Sequence, residues 1–140
     1  MRPVQSSGER GKNTQSETLI FVYGTLRRGE ANHALLGAST SRGPGLTRPQ
    51  FELFDLGEYP GMAPEGTTCV VGEVYAVSPE TLRRLDRLER HPTWYERKPI
   101  QLSDGLWVEA YVLPRAYCKR GHPIASGDWL TRGTGPTPTR

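Results

Sequence analysis

The sequence is short of cysteine and of long apolar runs, and both absences narrow the range of proteins that it could encode. Its 140 residues include two cysteines, Cys69 and Cys118, whose spacing matches no metal-binding motif. Both thiols are therefore interpreted as free. No stretch approaches the roughly 20 apolar residues that a membrane-spanning helix needs. Residues 1–18 also lack the apolar core of a secretion signal. A cytoplasmic protein that does not contact membranes is expected.

The sequence also lacks a concentrated patch of positive charge, the common nucleotide-binding motifs and the common motif of a catalytic serine nucleophile. The net charge is only +3, and the basic residues are spread along the chain. Nucleic-acid binding usually needs a basic patch, so it is not expected. There is no P-loop, no G-x-G-x-x-G after a strand and no G-x-S-x-G. Three histidines, His33, His91 and His122, show no ligand spacing. We therefore expect neither a metal nor a cofactor.

The chain is instead rich in glycine and proline, with 16 and 12 residues, which favours a turn-rich β or α+β domain. Residues 1–17 and 131–140 are polar and are predicted to be flexible tails around a domain of residues 18–130. Strands are predicted over 19–23, 51–56, 69–77, 95–102 and 106–113. The last two form a hairpin. Residues 37–49 are predicted to be a loop and 57–61 a turn, and Gly72 is expected to mark a bulge or bend.

Two helices are predicted beside these strands. A short helix over 31–36 would end at Gly37. The second has Ser78 as its N-cap and Pro79 at the first helical position, and Pro92 limits it near Arg90.

This second helix carries one inward-facing acid. With Leu82 at 0° and 100° per residue, Leu85 falls at about 300° and Leu88 at about 240°. Glu89 falls at about 340°, between Leu82 and Leu85, whereas the arginines face water. Burial and the nearby helix C-terminus should raise the pKa of Glu89, which suits a proton-transfer group. The alternative is a structural ion pair with a residue such as Arg97.

A second candidate feature is the segment Tyr23-Gly24-Thr25-Leu26, where an apolar strand ends in a glycine and a polar loop. Such a strand end can present backbone N–H groups to a ligand, and Gly24 has no Cβ to obstruct it. Tyr59 and Tyr95 are further candidates for the same pocket, with simple packing as the alternative.

These segments belong to a set that resembles the gamma-glutamylcyclotransferase-like family, in particular its gamma-glutamylamine cyclotransferase and AIG2-like branch. The matching motifs cover roughly residues 18–130 and occur in the family's order. They are Tyr23-Gly24-Thr25-Leu26, Arg28-Gly29, Asn32-His33, Tyr59-Pro60-Gly61, Gly72-Glu73-Val74-Tyr75, Leu85-Asp86-Arg87-Leu88-Glu89, Tyr95-Glu96-Arg97 and Ser126-Gly127-Asp128-Trp129.

The resemblance implies an α+β fold, a small mixed β-barrel with flanking short helices. It implies that Tyr23, Gly24, Thr25 and Leu26 bind the glutamyl end of a small γ-glutamyl substrate and that Glu89 is the catalytic acid/base. The implied products are 5-oxoproline and a free amine, with no cofactor. Two alternatives stay open: a γ-glutamyl hydrolase or transferase using the same pocket, and a non-catalytic binding module. The sequence indicates neither the leaving amine nor the oligomeric state.

Overall fold

The computed structural model describes residues 16–132, which form two β-sheets, one α-helix and three short 3₁₀ helices. The predicted tails lie mostly outside these residues, and their boundaries stay a prediction. The strands are β1 (Thr18–Val22), β2 (Thr40–Leu46), β3 (Phe51–Asp55), β4 (Pro60–Pro64), β5 (Val71–Val77), β6 (Glu96–Gln101), β7 (Trp107–Val112) and β8 (His122–Pro123). The α-helix is α1 (Pro79–Leu88), and the 3₁₀ helices are His33–Leu36, Arg115–Cys118 and Trp129–Thr131.

The larger sheet is mixed, with the strand order β2-β5-β1-β7-β6. Its neighbouring strands are antiparallel except for β1 and β7, which run parallel. The smaller sheet has the order β4-β3-β8. The predicted α+β class is confirmed, but the larger sheet does not close into a barrel. Its edge strands β2 and β6 do not pair with each other in the sheet, and an isolated bridge between Thr47 and Leu102 lies just beyond their ends.

Strand β1 lies at the centre of the larger sheet and contributes apolar side chains to both of its faces. Ile20 and Val22 pack in one hydrophobic cluster, whereas Phe21 and the following Tyr23 pack in the other. A strand that is covered on both sides has a continuous apolar sequence rather than an alternating one. The segment that follows β1 is thereby anchored in the core.

The predicted loop over 37–49 is wrong, because Thr40–Leu46 forms the edge strand β2. The sequence does not indicate a strand here, because Gly43, Pro44 and Gly45 are residue types that are uncommon in strands. The bulge expected at Gly72 lies instead in this partner strand, where the register shifts between Ser41 and Pro44. Gly72 serves a different purpose. A Cβ there would lie 2.3 Å from the carbonyl oxygen of Val22, so glycine allows β5 to pack closely.

Other predicted elements are confirmed in part. β6 and β7 form the expected antiparallel hairpin. The predicted turn over 57–61 is shorter than expected, because β4 already begins at Pro60. The predicted first helix is reduced to the 3₁₀ turn His33–Leu36, with Gly37 as its C-cap.

Helix α1 begins and ends with recognisable caps. The Ser78 hydroxyl accepts a 3.1 Å hydrogen bond from the Thr81 N–H, as an N-cap does. At the other end, the His91 N–H donates to the Asp86 carbonyl (2.9 Å) and the Arg90 N–H to the Arg87 carbonyl (3.2 Å). This pair of bonds is a Schellman motif with Glu89 as the C-cap. It fixes where Glu89 leaves the helix.

The apolar face of α1 is narrower than the helical wheel predicts. Leu85 is fully buried, but Leu88 is 36% exposed, so its predicted inward position is wrong. No helix formed by residues 16–132 combines the length and apolarity needed to cross a membrane.

Candidate active site

A small cleft, which we call the inner pocket, lies where β1 ends. All of the predicted site residues line this pocket: Tyr23, Gly24, Thr25, Leu26, Tyr59, Glu89 and Tyr95. Their grouping in one cavity is observed, whereas their roles stay predictions. Phe21, Val22, Pro60 and Tyr111 complete its wall.

The loop after β1 contains three backbone N–H groups that have no hydrogen-bond partner within residues 16–132. These belong to Gly24, Thr25 and Leu26. Their carbonyl oxygens, in contrast, are all engaged. They interact with the Arg27 N–H (3.0 Å), the Asn32 N–H (2.8 Å) and His33 Nδ1 (2.9 Å), respectively. Consecutive free N–H groups of this kind can bind an anion, and the engaged carbonyls hold them in place.

A buried arginine directly after this loop fastens it to two other elements. Arg27 Nε contacts Glu73 Oε2 at 3.0 Å and Arg27 Nη1 contacts Asp128 Oδ1 at 2.9 Å. Glu73 also accepts the Arg28 N–H at 2.9 Å. Desolvation acts to raise the pKa of Glu73, but these hydrogen bonds outweigh it and the pKa is lowered. Sequence reasoning assigned no role to Arg27, because only the fold shows that both acids converge on it.

Tyr23 lines the inner pocket, but its hydroxyl is already engaged. It donates to the Tyr111 carbonyl (2.7 Å) and accepts the Met62 N–H (3.1 Å). Met62 belongs to β4 and Tyr111 to β7, so this hydroxyl joins the two sheets. Burial raises the pKa of Tyr23 well above its usual value, which keeps the hydroxyl protonated. The geometry therefore favours a structural hydroxyl with only the ring facing the pocket.

Tyr95 and Tyr59 also line the inner pocket. The buried Tyr95 donates its hydroxyl hydrogen to the Pro60 carbonyl, and burial raises its pKa. Tyr59 is exposed and packs edge-on against Tyr95, with 6.3 Å between the ring centroids.

Pro60 also explains Gly24, for a reason that differs from the sequence-based one. A Cβ at Gly24 would lie 2.5 Å from Pro60 Cγ. The glycine is therefore required by the protein's own packing, whether or not a ligand approaches it.

Glu89 is the only acidic residue among those of residues 16–132 that line the inner pocket. Burial raises the pKa of its carboxyl group from 4.5 to about 7. In this described part of the chain, the carboxyl group has no hydrogen-bond or ion-pair partner. A group with this pKa can exchange a proton near neutral pH.

The alternative partner suggested for Glu89 is engaged elsewhere. Arg97 binds Asp86 Oδ1 at 2.9 Å and Glu109 Oε1 at 2.6 Å. Asp86 also accepts the Tyr111 hydroxyl at 2.6 Å. The suggested ion pair between Glu89 and Arg97 is therefore wrong. The arginine instead neutralises the neighbouring acid on α1 and fixes the helix against β7.

A wider cleft, the outer pocket, adjoins the inner one. The two share Thr25, Tyr59, Glu89 and Tyr95. The outer pocket adds Ala31, Asn32, Glu58, Leu88, Arg90 and Trp94. Glu89 thus stands between a narrow cavity with free N–H groups and a wider one open to solvent.

Metal-binding side chains do not gather in the described part of the chain. Residues 16–132 contain no group of three or more His, Cys, Asp and Glu side chains that could hold an ion. The two cysteines are free, with Cys118 buried and Cys69 half-buried.

Residues 20–131 match the family described as gamma-glutamyl cyclotransferase, AIG2-like. The chain belongs to this family.

Named relatives and a solved structure agree with that membership. A putative gamma-glutamylcyclotransferase of Vibrio cholerae is 46% identical over 116 residues, covering 81% of this chain and 96% of that protein. The gamma-glutamylaminecyclotransferase of Rattus norvegicus is 41% identical over 100 residues, covering 65% of this chain and 67% of that protein. The crystal structure of an AIG2-like protein from Mus musculus superposes with a TM-score of 0.65 at 34% identity, covering 70% and 78% of the two chains.

Proposed function

We propose that this member of the family converts a γ-glutamyl amide into 5-oxoproline and a free amine, with Glu89 as the acid/base. The observation that carries the proposal is the composition of the inner pocket. One unpaired carboxyl group with a pKa of about 7 lies in the same cavity as three unpaired backbone N–H groups. Proton transfer and anion binding are the two tasks that this cyclisation requires.

The substrate supplies its own nucleophile. Its α-amine attacks its γ-carbonyl carbon, a new C–N bond closes a five-membered ring, and the original amide C–N bond breaks. Glu89 removes a proton from the attacking amine and delivers a proton to the departing nitrogen. A pocket that holds the glutamyl chain folded brings the two reacting atoms together.

The free N–H groups have a matching role. Those of Gly24, Thr25 and Leu26 bind the α-carboxylate of the glutamyl unit or the oxyanion that forms at the γ-carbonyl. Because their carbonyls and Arg27 are anchored, the donors are oriented before the substrate arrives. The departing amine extends into the outer pocket past Glu89. Independence from cofactors and a cytoplasmic location remain predictions.

The experiment is incubation with a panel of γ-glutamyl compounds and detection of 5-oxoproline by mass spectrometry. The wild-type chain should form 5-oxoproline from at least one member. Glu89→Gln is nearly isosteric but cannot accept a proton, so its rate should fall by roughly 10²–10⁴-fold while binding persists. Glu80→Gln is the matched control, because Glu80 is an exposed glutamate in the first turn of the same helix. Glu89→Gln activity within about tenfold of wild type contradicts the assignment.

The same panel separates the alternatives. A hydrolase or transferase would form free glutamate or a new γ-glutamyl amide instead of 5-oxoproline. N-acetylated substrates provide a second criterion, because an acylated nitrogen cannot attack the γ-carbonyl. Their turnover would exclude the intramolecular mechanism. A binding module would retain the ligands without forming any product.

A further inference from the structure

Two charged side chains in the outer pocket have no counter-ion within residues 16–132. Arg90 and Glu58 both line it, and neither forms an ion pair or side-chain hydrogen bond within residues 16–132. Arg27, Arg84, Arg97 and Arg115 contact acids, whereas Arg83 and Arg87 on the same helix, like Arg90, form no ion pair within residues 16–132. Arg90 differs from Arg83 and Arg87 in that it lines the pocket. An arginine that lines a pocket and lacks a counter-ion is available to an anion from outside.

Arg90 occupies a backbone position that favours another residue. It is the C′ residue of the Schellman motif and has φ of +55°, where glycine is the usual choice. A side chain with a Cβ is sterically disfavoured in this left-handed conformation. The position is thus unfavourable for arginine on backbone grounds, and no ion pair within the described residues compensates for it.

The Arg90 guanidinium rests on an aromatic platform. Its Cζ lies 5.4 Å from the centroid of the Trp94 ring. Trp94 in turn stacks on Tyr117, with 4.7 Å between centroids and 9° between the ring planes. Stacking on a ring restricts a guanidinium while leaving its N–H groups free to donate. The cation is therefore held in the outer pocket, one residue away from Glu89.

We infer that Arg90 is a specificity-determining residue that binds a carboxylate of the leaving amine. A leaving amine that bears a carboxylate is then preferred to one of the same size that bears none. This inference rests on the proposed function. Glu58 in the same pocket limits the local positive charge, which favours a singly charged carboxylate over a dianion such as a phosphate. Arginine donates to carboxylates in a planar, often bidentate geometry.

The test compares γ-glutamylglycine with γ-glutamylglycinamide, which differ only in the leaving group's carboxylate. Wild type should favour the carboxylate in kcat/KM by about tenfold, the scale of one charge-assisted hydrogen bond near solvent. Arg90→Gln should reduce that ratio to within about twofold of unity while sparing the glycinamide substrate. Arg83→Gln, which removes an exposed arginine from the same helix, should keep the wild-type ratio.

A second variant separates recognition from folding. Arg90→Gly places the favoured residue at the left-handed position, so its thermal midpoint should equal or exceed that of wild type. It should nevertheless lose the preference for γ-glutamylglycine. A preference that survives in both Arg90 variants, or that is absent from wild type, overturns the inference.

Binding measurements distinguish a failure of this inference from a failure of the proposed reaction. In a Glu89→Gln background, calorimetry should show γ-glutamylglycine binding about tenfold more tightly than the glycinamide, and Arg90→Gln should remove the difference. If wild type forms no 5-oxoproline but this difference persists, the proposed reaction fails and the carboxylate site stands. If 5-oxoproline forms and the difference is absent, the carboxylate site fails alone.

Discussion

The raised pKa of Glu89 predicts that Glu89→Gln stabilises the protein at alkaline pH. The carboxyl pKa is raised from 4.5 to about 7 in the folded protein. At 1.36 kcal/mol per pKa unit, ionising Glu89 in the folded state costs about 3 kcal/mol relative to the unfolded chain. Because the pKa of Glu89 is higher in the folded than in the unfolded state, the folded protein keeps this stability of about 3 kcal/mol in full below about pH 4.5, where Glu89 is protonated. The stability is lost as the pH rises through 7 and Glu89 ionises.

Glutamine stays neutral at every pH, so the variant avoids that loss. The difference in unfolding free energy between Glu89→Gln and wild type should grow by about 3 kcal/mol between pH 4.5 and 8.5. This corresponds to a relative shift of roughly 10 °C in thermal midpoint. Urea denaturation of both proteins at several pH values measures it. Glu73, Asp86 and the other carboxylates titrate in both proteins, so their effects cancel in the difference in unfolding free energy between wild type and Glu89→Gln. A difference that stays constant within 0.5 kcal/mol, a bound of about a third of a pKa unit, refutes the raised pKa.

Two further predictions concern the glycine in the pocket loop and metal independence. Gly24→Ala should destabilise the fold by about 1–3 kcal/mol, because its Cβ would meet Pro60 Cγ at 2.5 Å. Thermal denaturation measures this, and Pro60→Ala should recover part of the loss. Additive effects of the two changes would rule out that contact. Formation of 5-oxoproline should survive exhaustive treatment with EDTA. Activity lost on chelation and restored by a divalent ion contradicts the metal-free mechanism.

Local sequence signals predicted those parts of the site that depend on neighbouring residues. The Ser78 cap, the helical phase of Glu89 and the apolar strand before Gly24 are each specified within one element. The inward acid can therefore be identified from the order of residues along the helix alone. The edge strand β2 lacks such a signal, because Gly43, Pro44 and Gly45 suit a loop equally well. Only its pairing with β5 makes this segment a strand.

Contacts between distant segments could not be predicted in the same way. Asp86 and Glu89 lie three residues apart on the same helical segment, and only the fold shows that Arg97 pairs with Asp86 and not with Glu89. The clamp from Arg27 to Glu73 and Asp128 joins residues from three segments of the chain. The position of Leu88 shows a different limitation. The helical wheel places the Leu88 side chain toward the core, but the helix ends at Leu88 and the side chain stays partly exposed.

The division between inner and outer pockets has a consequence for how this protein can diversify. The inner pocket is built from core strands and interlocked main-chain bonds, so most changes there would damage folding together with chemistry. The outer wall is formed by side chains at a turn and just beyond a helix end, such as Glu58 and Arg90, which contact few other groups. Under the proposed function, single substitutions at those two positions would change the preferred leaving amine and leave the inner pocket intact.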